Sequence, residues 1–212
     1  DTDGVRWPRR ELDNDDEPRG GGPMAAPGDY NAVLTFGTHV DTMQLTWSAD
    51  PRTTFDWVAY ASGKAHRKLV DAEVERLAGL MQELAVAEET MKAMTSVWSL
   101  LDSTEDVDSL QAQMSGGIKD IREMLWTPQD FVGYDHVTVR VMDELYQAMP
   151  DLHEGATATD ERQLQRVKAA IDKVEVEVNA LMSETWVALQ EAAEGLPVTI
   201  QEVMEGVRSS ED

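Results

Sequence analysis

The 212-residue chain contains 41 acidic and 18 basic residues, which gives a formal net charge of −23. Such a charge repels phosphate backbones and anionic lipid headgroups, so we predict no binding to nucleic acid. The absence of cysteine excludes disulfides, thiolate metal ligands and cysteine nucleophiles. No apolar run approaches the roughly 18 residues that a transmembrane helix needs, which predicts no direct membrane insertion.

Residues 1–30 are typical of an arm and not of a folded domain. An acidic run at residues 13–17 is followed by Pro18 and by three glycines at residues 20–22. Such a segment buries too little apolar surface to offset its chain entropy, so we expect it to be disordered or bound along a partner. The chain begins at Asp1 and not at methionine, which favours removal of a targeting segment and a location in an organelle or other compartment. A fragment of a longer protein is the alternative.

Residues 31–49 form an extended, β-like segment. Met43, Leu45 and Trp47 alternate with polar residues, as in a strand, and Gly37 is placed to make a turn. A small hairpin is marginal by itself and would have to pair with another chain or pack on the helices. Of the two interpretations, a hairpin and an extended segment that covers the helices, the sequence pattern favours the second.

The helical part, residues 50–208, is predicted to begin with one very long helix from Pro51 to Leu101, with Asp50 as its N-cap. Apolar residues recur there in two rows with heptad spacing, which is a coiled-coil pattern with a single break at Glu73. The first row consists of Val70, Leu77, Leu84, Met91 and Trp98, and the second of Leu80, Ala87, Met94 and Leu101.

Three further helices and a short C-terminal one are predicted. The second begins at a capping box at Ser103 and has an apolar stripe from Val107 to Leu125, and Gly116 and Gly117 favour a local break within it. The third spans Pro128 to Met149. The fourth runs from Thr159 to a stop signal at residues 195–197, and residues 199–207 form the last. The fourth helix has its own heptad rows: Leu164, Ile171, Val178 and Thr185, with Val167, Val174, Leu181 and Ala188.

These patterns predict an all-α fold. Short connections favour antiparallel neighbours, so we expect an elongated antiparallel four-helix bundle with one very long N-terminal helix. An extended or short β-like arm precedes it.

No catalytic, cofactor-binding or metal-binding motif occurs in the sequence. It contains no glycine-rich phosphate loop, no His-Glu-x-x-His motif and no Glu-x-x-His pair of a di-iron bundle. We therefore assign no catalytic residue, no cofactor and no metal ligand.

The sequence favours a non-catalytic structural or accessory subunit of a larger multiprotein assembly. Its partners would be other protein subunits, with a homo-oligomer as an open alternative. The arm and the long helix are expected to bind them, through Trp7, Phe36, Trp47, Leu77, Leu84, Met91 and Trp98. A helical carrier of a hydrophobic ligand or pigment, with tryptophans around its cavity (Trp57, Trp98, Trp126 and Trp186), is the alternative. An enzyme with an unrecognised site is the second alternative.

Overall fold

The protein is mostly helical and contains a small two-stranded sheet, so the prediction of an all-α fold is corrected. The computed structural model describes residues 7–8, 25–52, 54–98, 105–127, 139–152 and 154–194. The strands are β1 (Gly28–Phe36) and β2 (His39–Trp47). The helices are α1 (Trp57–Trp98), α2 (Glu105–Leu125), α3 (Val141–Gln147), α4 (Ala158–Ala180) and α5 (Val187–Ala192), with a π-helical segment (Leu181–Trp186) between the last two.

The long helix α1 begins at Trp57 and not at the predicted Pro51. Its cap is Asp56, whose Oδ1 accepts hydrogen bonds from the backbone N–H groups of Val58 (2.9 Å) and Ala59 (3.0 Å). The carboxylate of Asp50 is engaged elsewhere, since it accepts hydrogen bonds from the backbone and side chain of Arg52. Two aspartates therefore had the sequence signature of a cap, and only the later one caps the helix.

The heptad rows of α1 lie inside the chain's own core. All five residues of the first row are buried, and they pack with the apolar residues of α2, α3 and α4. The break at Glu73 does not interrupt the helix, because Val74 occupies the buried position beside it. The Glu73 carboxylate instead accepts a hydrogen bond from Arg76 at 3.3 Å. Leu101 lies outside the described residues.

Helix α2 runs through Gly116 and Gly117 without the expected break. Gly117 has a packing role instead, because a Cβ atom at this position would lie 2.6 Å from Cδ1 of Leu181. Nothing lies within 4 Å of the corresponding point at Gly116. The capping box predicted at Ser103 lies outside the described residues.

Helix α3 covers only the end of the predicted third helix. It begins at Val141, and its N-cap Arg140 has an extended backbone (φ −96°, ψ 148°), so a continuous helix from Pro128 to Met149 is wrong. From this extended position the Arg140 guanidinium donates a hydrogen bond to the backbone carbonyl of Glu123, in the last turn of α2. A cation is favourable there because the C-terminal end of a helix carries partial negative charge. Residues 128–138 lie outside the described part of the chain.

The loop before α4 packs closely on the beginning of α1. A Cβ atom at Gly63 would lie 3.2 Å from the Cα of Leu152, so the two backbones approach each other closely here. Gly155 has a φ of +78°, and a Cβ atom there would lie 2.9 Å from the carbonyl oxygen of Ala59. The backbone N–H of Ala156 donates to the Ser62 hydroxyl at 3.2 Å. Two glycines thus let the loop and the helix approach each other.

Helix α4 begins with a capping box formed by Thr157 and Asp160. The Thr157 hydroxyl accepts hydrogen bonds from the N–H groups of Thr159 and Asp160, and the Asp160 carboxylate accepts one from the N–H of Thr157 at 2.7 Å. Burial of Asp160 acts to raise its pKa, but the hydrogen bonds that its carboxylate accepts from the hydroxyl and the N–H of Thr157, together with the charge of His66, outweigh burial and hold the pKa below its ordinary value. The predicted start at Thr159 is therefore late by one residue.

Replacing Thr157 with alanine should destabilise the protein by about 1 kcal/mol at neutral pH, because two helix N–H groups lose their acceptor. The lowered pKa means that Asp160 contributes stability above its ordinary pKa, and that this contribution is lost as the pH falls through the folded-state pKa. The difference between the two proteins should therefore narrow below about pH 4. Thermal unfolding of both proteins over this pH range measures the effect. Thr159→Ala, next to the cap, is the matched control, and an equal loss in the control would contradict the role of Thr157.

The π-helical segment shifts the register of the last helix by one residue. A π-helix has i to i+5 hydrogen bonds and so contains one more residue per turn than an α-helix. The predicted core positions Thr185 and Ala188 are only half-buried, and the next residues, Trp186 and Leu189, are buried in their place. The heptad rows of the fourth helix therefore hold up to Val178 and are wrong beyond it.

Among the described residues, no helix combines the length and the apolar character needed to cross a membrane. The acidic run at residues 13–17 and the predicted helix at residues 199–207 lie outside the described residues.

Candidate docking surface

The segment before the helices is a regular β-hairpin. Residues of β1 pair with residues of β2 in one unbroken antiparallel register, from Gly28 opposite Trp47 to Phe36 opposite His39. The connection is a two-residue loop, and Gly37 at its first position has a φ of +57°. A glycine at this position is characteristic of a type II′ turn, which matches the twist of the strands it joins. The local sequence is therefore sufficient to set the register of the hairpin.

The hairpin has one apolar and one polar face. Residues opposite each other in an antiparallel pair point to the same side, and successive residues along a strand alternate. The even-numbered residues of β1 therefore share a face with the odd-numbered residues of β2. Its large apolar side chains, which we call the apolar face, are Tyr30, Leu34, Phe36, Met43, Leu45 and Trp47. The opposite face is mainly polar, and there the Thr46 hydroxyl donates to the Asp29 carboxylate at 2.7 Å.

The apolar face is open to solvent. Both strands are exposed at every position, so the hairpin neither covers the helices nor is covered by them, and the favoured covering role of this segment is wrong. Phe36 is 81% exposed, Leu34 71% and Trp47 55%. Because a large apolar side chain presents about 150–250 Å², the six together expose roughly 700 Å². The largest apolar patch of a typical monomer is about 300–600 Å².

The hairpin carries little charge for a protein with 28% charged residues. Asp29 and Asp41 are its only charged side chains when His39 is neutral. It contains no lysine, arginine or proline, and its register contains no bulge. Natural proteins place charged residues, prolines and bulges in exposed strands to prevent these strands from pairing with other chains. The hairpin therefore lacks the usual protection against association.

The structure divides the predicted partner-binding residues into two groups. Phe36 and Trp47 lie on the apolar face, where they are exposed. Leu77, Leu84, Met91 and Trp98 are buried in the core, so their side chains offer no surface to a partner within a single chain. Trp7 is half-buried against that core.

Trp7 contacts the helices of its own chain. Its indole ring stacks on the ring of Tyr146 in α3, with 4.9 Å between ring centroids and 13° between planes. It therefore attaches the beginning of the chain to the helical part. Four residues of the apolar face are absent from the predicted partner-binding set: Tyr30 and Leu34 in β1, and Met43 and Leu45, which the sequence pattern placed in a strand but did not assign to a partner. The alternation of apolar and polar residues on both sides of the turn at Gly37 was the signal that could have identified all four.

A cleft of about 360 Å³ lies beside the π-helical segment, between α2 and α4. Three carboxylates line it, from Asp120, Glu177 and Glu184, together with Leu181 and Met124. None of the four tryptophans expected around a ligand cavity lines this cleft; Trp98 and Trp186 are buried in the core, and Trp57 is exposed. In the part of the chain that the structure describes, no group of three or more His, Cys, Asp or Glu residues could hold a metal ion.

In comparisons with protein-family models, with curated protein sequences and with solved structures, nothing matches this chain. The function must therefore be argued from the surface that the residues themselves form.

Proposed function

We propose that this chain is a non-catalytic structural subunit that docks into a larger protein assembly through the apolar face of its hairpin. The single observation that carries the proposal is the exposure of that face to solvent, because water-exposed Leu34, Phe36 and Trp47 would each gain free energy on burial. The exposed area of roughly 700 Å² is close to the ~800 Å² that each partner contributes to a standard interface.

The helices serve as the frame that holds this arm. We propose that they form an elongated antiparallel four-helix bundle, in which the buried heptad rows of α1 and α4 provide the central contact. In this arrangement α1 contributes its apolar side chains to the bundle and not to a partner. The hairpin alone, and not the long helix as the sequence predicted, would then contact the partner.

Charge indicates what kind of partner fits. The chain has a net charge of −23, whereas the apolar face contains a single carboxylate, that of Asp41. A protein subunit with an apolar groove and with lysine and arginine around its rim complements both features. The basic rim would accelerate association, and the apolar contact would supply most of the affinity.

The test compares two hairpin variants in the particle that contains the chain in its own cells. Leu34→Ser, Phe36→Ser and Trp47→Ser together remove most of the apolar face. The matched control, Val33→Ser with Val40→Ser, changes exposed residues of the polar face. Each large apolar contact is worth roughly 1.5–3 kcal/mol, so the triple variant should associate at least about a thousandfold more weakly.

The readout is the native mass of the particle and the presence of the chain within it. We expect wild type and the polar-face control in a particle of large mass with other polypeptides, and the triple variant as a free chain. A wild-type chain that is free, or a triple variant that remains in the particle, would overturn the proposal. Unfolding temperature is measured for all three proteins, and it should not change, since the hairpin contributes nothing to the helical core.

A further inference from the structure

The hairpin has two outward-facing backbone edges in addition to its apolar face. In a hairpin closed by two residues, the pair that flanks the loop is hydrogen-bonded within the hairpin, and hydrogen-bonded and non-hydrogen-bonded pairs then alternate. Phe36 and His39 flank the loop, so Val33 and Thr42, three pairs away, are a non-hydrogen-bonded pair. Their N–H and C=O groups point away from the hairpin. The hydrogen bond from the Thr42 N–H to its neighbouring Asp41 carboxylate, at 2.9 Å, agrees with this direction.

We propose that the β2 edge pairs with the β2 edge of a second copy of this chain, in a two-fold antiparallel arrangement centred on Met43. This inference goes beyond the proposed docking of the apolar face, because it uses the backbone edge of the hairpin and leaves that face free for a different subunit. A two-stranded hairpin is marginal in water, and three or more strands with an apolar face are needed for independent stability. Two paired hairpins form a four-stranded sheet in which both apolar faces lie on one side.

Composition favours β2 over β1 as the central strand. Each strand contains four residues of types enriched in strands, which are Tyr30, Val33, Thr35 and Phe36 in β1 and Val40, Thr42, Thr46 and Trp47 in β2. The strands differ in residues that are depleted in strands: β1 contains four, Gly28, Asp29, Asn31 and Ala32, whereas β2 contains only Asp41, so β1 is more suited to an outer position. Pairing through β2 therefore places the more favourable strand at the centre of the sheet.

The arrangement is also self-complementary in side chains and charge. Centring on Met43 places Thr42 opposite Gln44 of the second copy, and Trp47 opposite His39. No two carboxylates face each other. The two Asp41 side chains are four residues apart along the strands, which is about 14 Å, and this exceeds the Debye length of about 10 Å at 0.1 M salt. Two strongly acidic chains can therefore approach each other at this edge.

The absence of cysteine from the chain allows a direct test by disulfide trapping. In the proposed arrangement Met43 lies opposite Met43 of the second copy, in a non-hydrogen-bonded pair whose Cα atoms are about 4.5 Å apart. This distance lies within the range of about 4.4–6.8 Å between the Cα atoms of a disulfide. On mild oxidation, Met43→Cys should convert into a covalent dimer. Ala32→Cys is the matched control, because Ala32 is the cross-strand neighbour of Met43 on the same face but on the other edge.

A second pair of variants removes one outward N–H from each edge. Proline is tolerated where an edge N–H faces solvent, so neither Thr42→Pro nor Val33→Pro breaks the ladder within the hairpin. In the Met43→Cys background, Thr42→Pro should abolish the covalent dimer, and Val33→Pro should leave it intact. Equal trapping at positions 32 and 43, or equal trapping in the two proline variants, would overturn the inference.

The same measurements separate this inference from the proposed function. If no variant is trapped while the apolar-face variant still leaves its particle, the pairing of two copies is wrong and docking on a different subunit stands. If Met43→Cys is trapped and the apolar-face variant keeps its place in the particle, pairing stands and docking through the apolar face is wrong.

Discussion

Leu84→Asp should unfold the helical part of the protein. Leu84 is 1% exposed and lies in the core between the helices. The substitution removes about 2–5 kcal/mol of packing and places a carboxylate where it has no partner, which costs several kcal/mol more. Native proteins are stable by about 5–15 kcal/mol, so the sum approaches or exceeds the whole stability. Far-ultraviolet circular dichroism at increasing temperature measures the loss.

Leu69→Asp is the matched control for this experiment. It makes the same substitution in the same helix, at a residue that is 52% exposed. Its unfolding temperature should stay close to wild type, because surface substitutions usually change stability by less than about 0.5 kcal/mol. A folded Leu84→Asp protein that has merely lost a partner would show that the heptad rows of α1 form an interface between chains and not an internal core.

Arg76→Met should destabilise the protein by about 2 kcal/mol at neutral pH. The Arg76 guanidinium joins α1 to α4: it bonds to Glu175, to Asp172 at 2.7 Å and to Glu73 at 3.3 Å. The hydrogen bonds that it donates to Glu175 and Asp172 raise its pKa, so it keeps its charge at all ordinary pH values. Without it, three carboxylates face one another without a counter-charge. A partly exposed site screens this repulsion, which limits the expected loss.

The salt dependence identifies the cause of this loss. Added salt screens charges at a partly exposed site, so repulsion among the three carboxylates should weaken, and the deficit in unfolding free energy of Arg76→Met should shrink as the ionic strength is raised. Arg52→Met is the control, because Arg52 makes an exposed ion pair with Asp50 and should contribute almost nothing. Urea unfolding at neutral pH, at low ionic strength and at about 1 M salt, measures both variants. A deficit that stays constant with salt would mean that lost packing, not charge, explains the effect.

The spacing of apolar residues predicted which face of α1 is buried, but not what that face contacts or where the helix begins. The rows of α1 from Val70 to Trp98 are buried where the spacing placed them. Spacing alone cannot tell whether an apolar row contacts the same chain or another one, and for this reason Leu77 and Leu84 were assigned to a partner. The predicted start of α1 is wrong because Asp50 and Pro51 have the same local sequence signature as a true helix cap. Asp50 differs from the actual cap, Asp56, in that its carboxylate accepts hydrogen bonds from Arg52.

The candidate site was predictable in part. Alternation in β2 identified Trp47, and Gly37 identified the turn, but pairing with β1 is needed to bring Tyr30 and Leu34 to the same side. Sequence reasoning favoured a covering role because a small hairpin is marginal by itself and needs a surface to pack on. The exposure of the face is a property of the tertiary structure, and no local pattern encodes it.

The π-helical segment has a consequence for how this chain can be aligned with others. Its extra residue behaves as an insertion that a continuous helix has absorbed without forming a loop. An alignment that follows the heptads of α4 would place Thr185 where Trp186 belongs and misassign every later core position. Relatives that lack the extra residue would appear one residue shorter, with no gap in any loop. Searches for relatives of this chain should therefore permit a single-residue gap within residues 181–186.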